Sequence, residues 1–182
     1  MKLWTILWIA VFAPVCAAQR LTVPEFARIA RVCGPEANLP DLVAIARTES
    51  NFNPWALSVN RPTALAHRFG YSSGRIYLRH QPRTKQEAVR WTQELEALGI
   101  TVSVGLLQVN AEHAGYSTAE LFEPCTNMEQ GWGIFSAAYS REARVFGPGQ
   151  RALLAALASY NAGAPITGFR NGYVFSVLQH SQ

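Results

Sequence analysis

Apolar residues recur at helical spacing along most of the chain, and each run has a start or stop signal. Phe26, Ile29, Ala30 and Cys33 share a face behind Thr22, which can cap a short helix with Pro24 and Glu25 in its first turn. Gly34-Pro35 stops it. Asn38, with Asp41 three residues on, reads as a capping box for a second helix whose apolar stripe is Leu42, Ile45 and Ala46. The next position on that stripe is Glu49. Asn51-Phe52-Asn53-Pro54 ends the helix, since Pro54 restricts Asn53 and cannot continue the bonding. Periodicity is then lost over 55–83, where alternation around Arg75-Ile76-Tyr77-Leu78 predicts a small strand or hairpin in an otherwise irregular, basic lobe. Thr84-Lys85-Gln86-Glu87 is a capping box for a helix with Ala88, Trp91, Leu95 and Leu98 on one face, closed by Gly99.

Ile100 to Val104 is short and β-branched, which predicts one strand. In Ser103-Val104-Gly105-Leu106-Leu107-Gln108-Val109-Asn110, Gly105 allows a close backbone approach or a tight entry into a helix. Asn127-Met128-Glu129-Gln130 reads as a cap for a helix to about Arg144, with Trp132, Phe135, Ala138 and Tyr139 inward. Arg151 to Tyr160 is so apolar that it belongs at the centre. A last short helix, Val174 to Leu178, follows Asn171-Gly172-Tyr173. The pattern predicts a mainly helical α+β fold.

Composition narrows the class. The 182 residues amount to one domain, and 49% apolar content is enough for a single core. The formal charge of +4 is spread out with no Lys/Arg run, so anionic partners are favoured and nucleic acid is not expected. Residues 1–18 read as a secretory signal peptide: Lys2, an apolar run from Leu3 to Val15, then Cys16-Ala17-Ala18. That run is short for a membrane span, so the expected product is a periplasmic domain, 19–182, with no stable span once the leader is removed. Two cysteines then remain, Cys33 and Cys125, which reads as one disulfide closing about 92 residues or as two buried thiols. His67, His80, His113 and His180 lack metal-ligand spacing, and neither a metal nor a cofactor is expected.

The candidate chemistry starts at Glu49. A carboxylate on an apolar stripe resists ionisation, and the negative end of the helix dipole pushes the same way. Such a group suits a general acid; the plainer alternative is a glutamate fraying into solvent. Gln108, among apolar neighbours, needs a partner if buried, and its amide suits a sugar hydroxyl or N-acetyl group. Tyr160 and Asn161 end the apolar helix, where they can reach a substrate or the acid, and the small residues after them let a polymer lie close.

Taken in order, Glu49-Ser50, Gly105-Leu106-Leu107-Gln108 and Ala158-Ser159-Tyr160-Asn161-Ala162-Gly163 resemble the three motifs of the lysozyme-like lytic transglycosylases. Gln81-Pro82-Arg83-Thr84, Phe122-Glu123-Pro124-Cys125 and Gly172-Tyr173-Val174 resemble the branch associated with type IV secretion and conjugation machinery. The resemblance covers roughly 37–178 and implies a lysozyme-like fold acting on peptidoglycan glycan strands, with type IV secretion or conjugation components as partners. It implies Glu49 as acid and then base, with a 1,6-anhydromuramoyl product. Ser50, Gln108, Tyr160 and Asn161 would hold substrate, Gly105 and Leu106 would shape the floor, and Tyr173 would form a wall. A muramidase of the same fold and a non-catalytic peptidoglycan-binding protein are the alternatives. Most glycosidases use two carboxylates. Asp41 is the one aspartate, and no second acid falls inside the three motifs, which fits a one-acid reaction.

Overall fold

The computed structural model describes residues 20–34, 36–62 and 78–181. The leader and the Arg75–Tyr77 part of the expected strand lie outside the described residues. Helix α1 spans Val23–Cys33 behind a reciprocal box between Thr22 and Glu25, and buries Phe26, Ala30 and Cys33. Helix α2, Leu39–Glu49, buries Leu42, Ala44, Ile45 and Ala46. Asn38 does occupy its N-cap position, but its side chain makes no capping bond. The second helical residue is Pro40, which removes one of the two N–H groups a cap side chain serves.

Three strands follow in the order β1-β2-β3, all antiparallel: β1 Leu57–Pro62, β2 Ile100–Val104 and β3 Val109–Asn110. Strand β1 lies in the stretch expected to be irregular. Its alternation, Leu57-Ser58-Val59-Asn60, is only four residues long before Arg61-Pro62, too short to stand out. Pairing with β2 (Leu57 opposite Val104, Val59 opposite Val102) is what completes it. Between β1 and β2 runs α3, Lys85–Ala97. Thr84 caps it by accepting from Glu87 N at 3.1 Å, while the Glu87 carboxylate takes the N–H of Arg83 rather than of Thr84. The cap is therefore one-sided, not a reciprocal box.

After β3 come a 3-10 turn, Ala111–His113, and a short α4, Thr118–Leu121, boxed by Ser117 and Glu120. Helix α5 runs Pro124–Phe146. It begins four residues before the expected start, because Pro124 at the first position is already helix-competent. Asn127 consequently sits inside the helix, and its side chain points into the core instead of capping. Helices α6 (Gln150–Ala162), α7 (Pro165–Arg170) and α8 (Tyr173–His180) complete the chain. The α7 helix was not anticipated; at six residues it is too short to carry a periodic signal.

One contiguous buried cluster joins α1, α2, the sheet, α5, α6 and α8, with Phe26, Leu42, Ile45, Leu106, Phe122 and Met128 fully buried. The α5–α6 pair forms its spine, and α8 packs on α2. Cys33 at the end of α1 and Cys125 in the first turn of α5 are bonded, with Cα atoms 5.0 Å apart and a sequence separation of 92. Among the described residues no helix is long and apolar enough to cross a membrane.

Asn127 is the polar pin of this core. It is 1% exposed; its Oδ1 accepts from Leu107 N, and its Nδ2 donates to Val104 O and Leu121 O, each at 2.8 Å. It ties α5 to the turn after β2 and to the end of α4. Asn127→Ala leaves a buried N–H and two carbonyls without this partner. The expected loss is about 3 to 4 kcal/mol, read as a lower urea midpoint at unchanged m-value.

Candidate active site

The turn between β2 and β3 organises the site. Gly105 has φ of +79°, and a Cβ there would meet the Asn127 amide at 2.3 Å, so glycine alone fits. Gln108 N bonds back to Gly105 O at 3.2 Å, and Gln108 itself is left-handed, with φ of 47°. The turn's backbone groups are then claimed from several directions. Gly105 N donates to Ala56 O at 2.8 Å. Leu106 O accepts from Ser50 Oγ at 2.8 Å, and Leu107 O accepts from Tyr160 Oη at 2.6 Å. Thus consecutive carbonyls of one turn hold the ends of α2 and α6.

Gln108 also bonds inward. Its Nε2 donates to Ala56 O at 3.2 Å and to Gly105 O at 3.0 Å, and its Oε1 accepts from Ser58 Oγ at 2.5 Å. Both amide hydrogens are therefore committed to the protein. Gly105 and Leu106 are buried, Leu106 completely, so the Leu106 side chain belongs to the core and offers no exposed surface as the expected floor. Asn161 is exposed, and its Oδ1 accepts from Asn171 Nδ2 at 2.7 Å.

Glu49 is the last residue of α2, where Asn51 and Phe52 follow in left-handed conformations with φ of 49° and 60°. These two residues turn the chain sharply away and leave the carboxyl at the helix end. Tyr173, the first residue of α8, donates from Oη to Glu49 Oε1 at 2.6 Å. Expected as a wall, Tyr173 is in direct contact with the acid. Its 8% exposure shows that little of its ring is left to line an open surface. Among the described residues the other carboxyl oxygen, Oε2, has no protein hydrogen bond. Burial raises the Glu49 carboxyl to about 7, against the Tyr173 hydrogen bond, which lowers it. Burial and the nearby Glu49 charge raise both the Tyr160 and the Tyr173 hydroxyls. Both tyrosines therefore stay protonated and act as donors.

With Oε1 already accepting from Tyr173, the proton of the neutral acid is directed to the free Oε2. No second carboxylate contributes to the raised Glu49 value. Asp41 lies eight residues earlier on α2, about 12 Å of helix rise away. Glu112 is exposed beside His113, and Glu142 is engaged by Ser159 Oγ at 3.1 Å and Arg141 Nε at 3.2 Å. Among the described residues no group of three or more His, Cys, Asp or Glu side chains could hold a metal ion.

Residues 29–178 match the transglycosylase SLT domain. The chain belongs to that family. All three SLT motifs fall inside the matched range. Among curated proteins the SLT chain is similar to the type IV secretion system protein virB1 of Brucella abortus, at 35% identity over 150 residues, covering 80% of this chain and 57% of that protein. It is also similar to protein virB1 of Agrobacterium fabrum, 28% identical over 190 residues and covering 98% of this chain and 68% of that protein. The chain thus spans little more than half the length of the Brucella relative. No solved structure matches.

Several contributors escaped the sequence reading. Asn127 resembled a helix cap, and Ser58 lay in a stretch read as loop. Tyr173 was expected at the site as a wall, but its bond to Glu49 was missed, since the two stand 124 positions apart with nothing to pair them.

The raised Glu49 value sets a pH dependence of stability. Between pH 4.5 and about 7 the unfolded chain releases this proton while the folded chain keeps it, so stability falls as pH rises and levels off above 7. Glu49→Gln lacks this term. Its stability advantage over the parent should grow by on the order of 3 kcal/mol across that window, measured by urea unfolding at successive pH values.

Proposed function

We propose that the protein is a peptidoglycan lytic transglycosylase that cleaves the β-1,4 bond between N-acetylmuramic acid and N-acetylglucosamine. The observation that carries this is the Glu49 carboxyl at the end of α2, raised to about 7 by burial, with one oxygen held by Tyr173 and the other without a hydrogen bond among the described residues. Glu49 Oε2 protonates the glycosidic oxygen as the bond to the muramoyl anomeric carbon breaks. The substrate's N-acetyl group shares the positive charge. The Glu49 carboxylate then takes the proton of the muramoyl C6 hydroxyl as that oxygen closes onto the anomeric carbon. The product is a 1,6-anhydromuramoyl end, the proton returns to Glu49, and no water is consumed. One group serves as acid and base because each step restores the form the next one needs.

Tyr173 suits both halves. Its hydrogen bond strengthens when Glu49 carries charge, which tempers the cost of a carboxylate in a buried setting. Ser50, Gly105, Leu106, Gln108 and Tyr160 form the frame that fixes α2 and α6 around the cleft. Asn161, exposed and with its amide hydrogens unused among the described residues, is suited to sugar hydroxyl or carbonyl groups.

The same reading places the protein in the periplasm after export, where Cys33 and Cys125 would be oxidised. There it would open the wall locally for a type IV secretion or conjugation apparatus. Similarity to relatives named as type IV secretion system proteins supports that setting.

Digestion of purified sacculi followed by mass spectrometry tests the reaction. Muropeptides lighter by one water than the hydrolytic products are expected, from anhydro ends. Reducing ends would make the protein a muramidase, and binding without release would make it a non-catalytic wall protein. Glu49→Gln should fold normally and lose cleavage by about 10³-fold or more. Retained turnover in that variant would sink the role of Glu49.

A further inference from the structure

A hydrogen bond from the far end of a tyrosine side chain holds only if the helix that carries it is fixed in both translation and rotation. Helix α8 begins with Tyr173 and has only eight residues, too few to be stable alone. Its inward face, Val174 and Val177, is buried, but apolar contact by itself permits sliding. Its N-cap is Gly172, left-handed with φ of 81°, which offers no side chain to cap the first turn.

Asn171 takes that place. Its Oδ1 accepts from Tyr173 N at 3.0 Å, and its Nδ2 donates to Asn161 Oδ1 at 2.7 Å. One amide therefore joins the start of α8 to the last turn of α6. At the other end of α8, His180 Nδ1 lies 3.0 Å from Thr48 Oγ1. The Thr48 hydroxyl gives its one proton to Ala44 O at 2.9 Å, so the proton in the contact with His180 comes from the imidazole. Thr48 is the immediate neighbour of Glu49 on α2. The helix carrying the tyrosine is thus tied at its far end to the residue next to the acid that the tyrosine must reach.

We propose that Asn171 and His180 are positioning residues, which lock α8 against α6 and α2 and so hold the Tyr173 hydroxyl on Glu49. Neither touches the Glu49 carboxyl. The catalytic meaning of this arrangement rests on Glu49 being the acid, whereas the positioning itself does not. The groups whose hydroxyls feel the Glu49 charge are Tyr160, from α6, and Tyr173, from α8.

The test is ¹³C NMR titration of the Glu49 carboxyl, assigned by its absence in Glu49→Gln. Tyr173→Phe removes a bond that favours the charged form, so the midpoint should rise by on the order of one pH unit. Asn171→Ala and His180→Ala should each move it the same way by a smaller step. Neither should add anything in a Tyr173→Phe background, because there is no longer a hydroxyl to position. Loss of a nearby imidazolium acting only through space would persist in that background, and that result would overturn the proposal. So would unchanged midpoints in folded alanine variants. If an alanine variant does not fold, Thr48→Val and Asn161→Ala, which remove the partners of the same two bonds, decide: a raised midpoint supports positioning, and an unchanged one overturns it. The readout needs no turnover, so a failure of the catalytic reading leaves it intact. In an active enzyme the fall of kcat at high pH should follow the same midpoints with KM unchanged.

Discussion

The four-residue turn Gly105–Gln108 presents backbone groups in the middle of the molecule, and each must find a partner there. An unpaired buried peptide group costs about as much as a lost hydrogen bond, so the turn cannot exist without its neighbours. Ala56 takes the Gly105 N–H, Ser50 and Tyr160 bond the Leu106 and Leu107 carbonyls, and Asn127 takes the Leu107 N–H. Each of these partners comes from a different element. Satisfying one turn therefore fixes the ends of α2 and α6, the entry to β1 and the start of α5 relative to one another. The three sequence motifs are far apart along the chain because each supplies one side of the same bonding problem.

That constraint also shapes the chemistry. Once α2 is pinned through Ser50, Glu49 is held at the helix end beside α8 and partly enclosed. Burial raises its carboxyl to about 7, which a free glutamate would not approach. The same burial that makes the acid useful also makes it costly to the fold, because the native state must keep a proton that the unfolded chain would release. Tyr173 lowers that cost without abolishing it. The polar framework around it is satisfied: Asn127 at its centre is fully bonded.

The local signals in the sequence were read well where the physics is local. The Thr22 cap, the Leu42–Ile45–Ala46 stripe ending at Glu49, the β-branched run from Ile100 to Val104 and the apolar helix through Tyr160 depend on residues within a turn or two of one another. The errors arose where one residue type fits two local roles. Asn127 stands in a pattern that caps helices, yet Pro124 had already opened the helix, and a buried turn needed an amide more than the helix needed a cap. Asn38 looked like a cap beside a proline that removed the donor it would serve. Strand β1 had the right alternation over four residues, which is too little without a partner strand.

By itself the sequence determined that Glu49 sits on an apolar stripe at a helix end, that the fold is mainly helical with a little strand, and that three polar motifs punctuate an otherwise apolar chain. Covalent neighbours and helical periodicity suffice for each of these. Only the tertiary structure decided what the polar atoms of those motifs bond to. It turned Gln108 and Tyr160 toward the turn, brought Tyr173 onto Glu49 across 124 positions, and set His180 against Thr48 across 132. The reason is geometric. A hydrogen bond requires two atoms within about 3 Å at a defined angle, and the sequence specifies which groups can bond but not which of them the packed core brings that close.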